Sequence, residues 1–201
     1  AYIVMKLLSF FKYSLYVILL SVAFVSCKTA KVYDPVYDVN FDQKQKEIEE
    51  LVQKEQNNYK MEEKELSRKL GIEIGKDDNL ALYEEVSNWL GVPYRYGGNS
   101  KNGVDCSGLV CQIYLTVYDK KLHRSSVNIY DKNCRKIKKS QLETGDLVFF
   151  ATGKSRNKVN HVGIYLKDRK FVHSSSSRGV VISDIDEKYF VRTYVGCGRV
   201  E

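Results

Sequence analysis

At 201 residues, with 43% hydrophobic and 12% aromatic side chains, the chain has room for one ordinary domain with a full core plus an appendage. Thirteen glycines, two prolines and the lack of repeats or low-complexity tracts exclude collagen-like and disordered classes. The formal charge is +7, and residues 79–201 hold 20 basic against 12 acidic side chains, which reads as a solvated surface or an attraction to an acidic polymer; without zinc-finger spacing or an aromatic-plus-basic RNA motif, nucleic acid is not an expected partner.

Residues 1–26 read as an export signal. Met5 and Lys6 open a short basic region, Leu15–Val25 form an apolar run, and small Ser26 precedes Cys27. The run is short for a retained membrane span. Val22-Ala-Phe-Val-Ser-Cys27 resembles a bacterial lipobox, although Phe24 stands where Leu is usual; the resemblance implies that Cys27 becomes a lipidated first residue, and several acyl chains make a stable membrane attachment. Residues 27–41 contain Pro35 and few periodic apolar positions, and are expected to be an extended tether.

Residues 42–76 hold a charged spacer helix, expected from Asp42 to Leu70 and about 40 Å long, with Gly71 as its stop. Its stripe of Ile48, Val52, Tyr59, Leu66 and Leu70 is too sparse for a coiled coil. The main domain is expected over 77–201. In it, Leu82, Val86, Trp89 and Leu90 share one face of a helix ended by Gly91 and Pro93.

A Gly- and Asn-rich loop then runs into Asp105-Cys106-Ser107-Gly108 and an apolar periodic stretch with Leu109, Val110, Ile113, Tyr114 and Val117. This places Cys106 at a helix start, where unpaired N–H groups and the helix dipole favour thiolate and make a catalytic nucleophile. The alternative is a buried cysteine acting as a small hydrophobe. Residues 119–140 are polar and Lys-rich, expected as loops with a short helix. Strands are expected at 146–150, 160–166, 170–174, 180–183 and 194–199, so helices precede an antiparallel meander and the fold class is α+β.

His161 and His173 fall on consecutive strands of that meander. A three-residue turn at Lys167-Asp168-Arg169 pairs Leu166 with Lys170 and sets the two histidines diagonally on one face; a two-residue turn would put them on opposite faces. The three-residue turn is the expectation. A cysteine nucleophile needs a base that reaches its thiol and a further polar group that orients the base. His161 is assigned the first role and His173 the second.

Tyr94-Arg-Tyr-Gly-Gly98, Val104-Asp-Cys-Ser-Gly-Leu-Val110, Gly145-Asp-Leu-Val-Phe-Phe150, His161-Val-Gly-Ile-Tyr165 and Phe171-Val-His-Ser174 resemble, in order and spacing, the NlpC family of papain-like murein endopeptidases. The resemblance covers about residues 80–200. It implies a Cys–His–His triad at Cys106, His161 and His173, a thioester acyl-enzyme, and hydrolysis of an amide bond in or between peptidoglycan stem peptides. It further implies that the Tyr94 hydroxyl and the Cys106 N–H hold the oxyanion, that Asp105 and Ser107 shape the substrate pocket, and that no metal or cofactor takes part. Asp146 and Gly97-Gly98 are read as structural, a turn or cap and a tight loop. The expected setting is an exported lipoprotein facing the periplasm or cell wall, monomeric and tethered through Cys27.

Three other readings stay open: a zinc site on Cys106, His161 and His173, a non-catalytic wall-binding lipoprotein, and an acyl or peptidyl transferase on the same fold. Of the remaining cysteines, Cys111 reads as core, and Cys134 and Cys197 could pair in an oxidising compartment.

Overall fold

A computed structural model describes residues 35–153 and 158–201; the signal stretch, Cys27 and the first part of the expected tether lie outside them. Helix α1, Pro35–Leu70, begins seven residues before the expected Asp42 start, so the tether expected over 27–41 is helical from Pro35. Proline suits the first helical position, because its fixed φ is helical and the N–H it lacks would have had no partner there. Val52–Glu201 form one compact unit, and the described residues up to Leu51 belong to another.

Within the second unit α1 ends as expected. Gly71 is left-handed with φ 63, and the Ile72 N–H reaches back to the Ser67 carbonyl at 3.2 Å, closing a Schellman-type stop. Leu66, Leu70, Ile72 and Ile74 are buried in the main core, which therefore begins before the expected boundary at Asp77. The apolar stripe that is thin along most of α1 converges on the domain in its last turn.

Helix α2, Leu80–Trp89, is capped by Asn79, whose side chain accepts the Leu82 N–H, and is followed by left-handed Gly91. A two-stranded ribbon, β1 Asn99–Ser100 and β2 Gly103–Val104, leads into α3, Cys106–Tyr118. The stretch expected to be loops with a short helix holds a helical turn at Ser126–Asn128, a wider turn at Ile129–Asn133 and strand β3, Cys134–Ile137. Strands β4 Leu147–Phe150, β5 His161–Tyr165, β6 Lys170–Ser175 and β7 Gly179–Asp184 follow. The chain ends with α4 Lys188–Thr193 and β8 Tyr194–Val200.

The six-stranded sheet is antiparallel with order β3-β8-β4-β5-β6-β7. Only β4 to β7 form the expected meander; β8 crosses back to pair with both β3 and β4. Side-chain alternation divides the sheet cleanly. Leu147, Phe149, Val162, Ile164 and Val172 join the core with α2 and α3, whereas Val148, Phe150 and Phe171 face a second cluster closed by Ile185 and Phe190 of α4. The result is the expected α+β layering, with a small extra layer behind the sheet.

The β5–β6 hairpin has the expected register: Ile164 opposes Val172, Tyr165 opposes Phe171, and the Leu166 N–H bonds the Lys170 carbonyl at 2.9 Å. Asp168 and Arg169 in its turn are both left-handed, with φ 51 and 65. Lys167 ties the turn to Asp78 through a 2.7 Å ion pair. Cys134 opposes Val200 while Cys197 opposes Ile137, a stagger of three residues or about 10 Å, too long for a disulfide, and both cysteines are free.

Burial at the end of α1 makes it part of the folding unit. Leu70, 5% exposed, and Met61, 71% exposed, lie on the same helix. Leu70→Ala is expected to cost about 2–4 kcal/mol in urea unfolding, and Met61→Ala less than about 0.5 kcal/mol.

Candidate active site

Cys106 is the first residue of α3, and Asp105 before it is extended and caps the helix, its Oδ1 accepting the Gly108 N–H at 2.7 Å. Leu109, Val110, Ile113, Tyr114 and Val117 are buried along α3, so the helix end carrying the cysteine is held by the core. The Cys106 side chain is almost fully covered. Its thiol faces the Asn160 carbonyl at 3.9 Å, and the Val162 N–H bonds to the same sulfur. The sulfur thus lies against the backbone on both sides of His161.

Burial pushes the Cys106 thiol above its ordinary value and the Asp105 charge adds to the rise, while the Val162 and Ser107 N–H groups act the other way. Desolvation is the largest of these contributions, and it opposes the thiolate that the helix start favours.

The histidines meet as the register requires. His161 Nε2 lies 2.9 Å from His173 Nδ1, with the rings edge-on. On its far side His173 Nε2 is 3.2 Å from Ser183 Oγ, which also accepts from Arg178 Nη2 at 3.4 Å. His161 spends Nε2 on His173, which leaves Nδ1 as its other ring nitrogen. For Nδ1 to accept a proton, Nε2 must carry one and donate it to His173 Nδ1, which leaves the His173 proton on Nε2, facing Ser183. One hydrogen-bond direction runs along the whole chain of groups.

Burial lowers the proton affinity of both rings, and for His173 the neighbouring His161 and Arg178 lower it further. The covering is aromatic. Phe171 stacks on His173 with ring centres 4.9 Å apart, Phe190 meets it edge-on at 5.3 Å, and Phe150 lies 6.1 Å from His161. Gly163 makes the Phe171 position possible, since a Cβ there would stand 2.6 Å from Phe171 Cδ2 and 2.7 Å from the Val172 carbonyl.

Tyr94 enters from the loop before β1. The Val104 N–H bonds the Pro93 carbonyl at 3.0 Å and the Arg95 N–H bonds the Val104 carbonyl at 3.3 Å, so Tyr94 is laced to the chain two residues before Cys106. Burial raises the Tyr94 phenol, with Cys106 and Asp105 adding to it, which keeps its proton available for donation. Asp105 and Ser107 differ from open pocket residues. Arg124 binds both Asp105 oxygens at 2.7 and 2.9 Å, and the Gly97 N–H and Ser107 hydroxyl occupy them further. Burial would lift the Asp105 carboxyl, but Arg124 and the Gly108 N–H outweigh it and hold it below the usual range.

As read from the sequence, Gly98 is structural, packed so that a Cβ would stand 2.3 Å from the Gly103 carbonyl, and Asp146 both accepts the Glu143 N–H and pairs with Arg199 through two 2.8 Å contacts. Arg124, Arg178, Ser183 and Phe190 were not singled out by the sequence; each is an ordinary polar or apolar residue whose partner is distant in the chain. Among the described residues no cluster of three or more His, Cys, Asp or Glu is placed to hold a metal.

A cysteine at the start of a helix that packs on an antiparallel sheet, with a hydrogen-bonded histidine pair on two neighbouring strands of that sheet, places the domain in the papain-like α+β class. The chain belongs to the NlpC/P60 family, whose family model matches residues 91–199. Similar proteins include a probable endopeptidase NlpC homolog of Haemophilus influenzae, 42% identical over 120 residues, or 60% of this chain and 62% of that one. The murein DD-endopeptidase MepS/murein LD-carboxypeptidase of Escherichia coli is 38% identical over 119 residues, 59% of this chain and 61% of the relative. These matches thus span about six tenths of the relatives' length. A solved NlpC/P60 family protein from Bacillus cereus superposes with a TM-score of 0.56 at 30% identity, covering 63% of this chain and 41% of that one.

Two outcomes follow. Both histidines have folded values below the ordinary 6.5, so the unfolded chain takes up protons first as pH falls; their contribution is full above about pH 6.5 and lost as pH drops from there through the folded values. Urea midpoints should fall between about pH 8 and pH 5, and the fall should shrink in His173→Gln. Gly163→Ala should displace Phe171 and cost about 1–3 kcal/mol in urea unfolding.

Proposed function

We propose that this protein is a cell-wall hydrolase that cleaves an amide bond in or between peptidoglycan stem peptides, with Cys106 as nucleophile, His161 as base and then acid, and His173 as the group that orients His161. The observation that carries the reading is the 2.9 Å contact between His161 and His173, with the Cys106 thiol 3.9 Å from the carbonyl of Asn160, the residue before His161. The relatives' names supply the substrate class, since the Escherichia coli protein is a murein endopeptidase.

In the first step His161 takes the Cys106 proton as the sulfur attacks the peptide carbonyl. Charge develops on the carbonyl oxygen, and the Cys106 N–H, free of an intrahelical partner at the first helical position, donates to it together with the Tyr94 hydroxyl. Collapse breaks the C–N bond, His161 returns the proton to the leaving amine, and a thioester remains on Cys106. Water, deprotonated by His161, then hydrolyses the thioester. Burial disfavours both the thiolate and the imidazolium, so hydrogen bonds brought by substrate would favour the charge pair. The zinc reading is less well supported, because His161 and His173 spend ring nitrogens on each other.

The N-terminal reading joins this proposal: residues 1–26 direct export, and a lipid on Cys27 holds the enzyme at the membrane facing its substrate. Among the described residues no helix is long and apolar enough to cross a membrane. Labelled palmitate should enter the wild type and be lost in Cys27→Ala; unchanged detergent partitioning of that variant would sink the anchor.

Purified muropeptides incubated with the protein should give new termini identifiable by mass. Cys106→Ala and His161→Ala should lose at least about 10³-fold in kcat/KM, while His173→Gln, which keeps an acceptor and a donor, should retain part of the activity. Cutting by Cys106→Ala at the wild-type rate would remove the nucleophile assignment. No cutting of any murein fragment by the wild type would remove the substrate class.

A further inference from the structure

Arg124 lies beyond α3 in the polar stretch that looks like surface, yet its guanidinium is built into the helix start. Nη1 donates to Asp105 Oδ1 at 2.7 Å and to Ser107 Oγ at 2.8 Å; Nη2 donates to Asp105 Oδ2 and to the Gly98 carbonyl, both at 2.9 Å. Asp105 in turn holds the Gly97 N–H at 2.8 Å and the Gly108 N–H at 2.7 Å. One planar fork therefore ties the cap of the nucleophile's helix to the loop that carries Tyr94. The backbone around Arg124 is itself fixed: the Cys111 thiol faces the His123 carbonyl at 3.3 Å, the His123 N–H donates to Asn133 at 2.9 Å, and Ser125 caps the next helical turn.

The same contacts settle a charge problem. The titratable and charged groups that act on Cys106 are Asp105 on its own helix cap, Tyr94 from the loop, and Arg124; β5 meets the sulfur through the Val162 N–H. An uncompensated carboxylate beside a cysteine opposes formation of a thiolate, and a bidentate guanidinium removes that opposition without being replaced by water. Lysine carries the charge but not the fork.

We propose that Arg124 is a positioning residue of the active site, which locks the Cys106 helix start and the Tyr94 loop into one frame and cancels the Asp105 charge beside the nucleophile. This rests on the assignment of Cys106 as nucleophile and Tyr94 as oxyanion donor. The two functions separate experimentally. Geometry acts on kcat through the oxyanion donors, whereas charge acts on how readily the thiol ionises.

The test pairs kcat and KM on muropeptides with the pH dependence of iodoacetamide alkylation at Cys106, read by mass at that peptide, using the full chain. Arg124→Met should move the alkylation midpoint up by about one pH unit and lower kcat at least about tenfold with KM changed less than about threefold. Arg124→Lys should hold the midpoint within about half a unit of wild type while kcat stays low, because the charge remains and the fork is gone. Asp105→Asn with Arg124→Met should bring the midpoint back towards wild type, since both charges are removed.

An unmoved midpoint in Arg124→Met with native circular dichroism would overturn the charge role, and full kcat in Arg124→Lys would overturn the geometric one. Should Arg124→Met not fold, the double variant decides the charge role and Arg124→Lys the geometry: a double-variant midpoint as high as about one unit above wild type overturns the first. Alkylation does not depend on murein, so a wild type that cuts no murein while the midpoint shifts as expected would discard the substrate class and leave the charge role standing.

Discussion

Every feature of the site depends on the β5–β6 register. With Ile164 opposite Val172, His161 and His173 point to the same side of the sheet and their ring nitrogens meet at 2.9 Å. A slip of one residue would send one ring to the α3 face and the other to the α4 face. Two left-handed residues in the turn set this register, the pair between Lys167 and Asp78 fastens the turn to the segment before α2, and Gly163 leaves the gap that Phe171 fills. The hairpin is thus held from its tip, its backbone and its face at once.

The second constraint is dryness. Phe150, Phe171 and Phe190 cover the histidine pair, and the core behind α3 covers Cys106, so burial raises the thiol and lowers both imidazoles. These shifts oppose the ionised pair that the proposed chemistry uses. They also mean that any charge formed there is poorly screened, so the N–H groups at the helix start and the Tyr94 hydroxyl act at close to full strength. What burial takes from the resting nucleophile it returns to a developing oxyanion.

Much of this is visible in the residues. The cap-plus-stripe pattern from Asp105 to Val117 places Cys106 on its helix start, and the count of residues between His161 and His173 places both rings on one face, because each rests on local geometry. Elements set by distant partners are harder to read. Strand β3 is Cys-Arg-Lys-Ile, polar because it is a sheet edge, and it exists through pairing with β8. Helix α4 is six residues long and is held by the burial of Phe190 rather than by propensity. Pro35 reads as a break and is a helix start. Arg124 looks like one more surface cation, and the balance between helix end and burial at Cys106 needs the packing to be known.

The strand order gives β8 an unexpected hold over timing. Strand β8 is the partner of both β3 and β4, and β4 in turn carries β5, whose first residue is His161. As synthesis proceeds from the N-terminus, Cys106 and both histidines leave the ribosome before residues 194–200 do, with one edge of β4 still bare. Strand β8 works as a latch: the sheet that frames the thiol reaches its six-stranded width only once residues 194–200 have joined it.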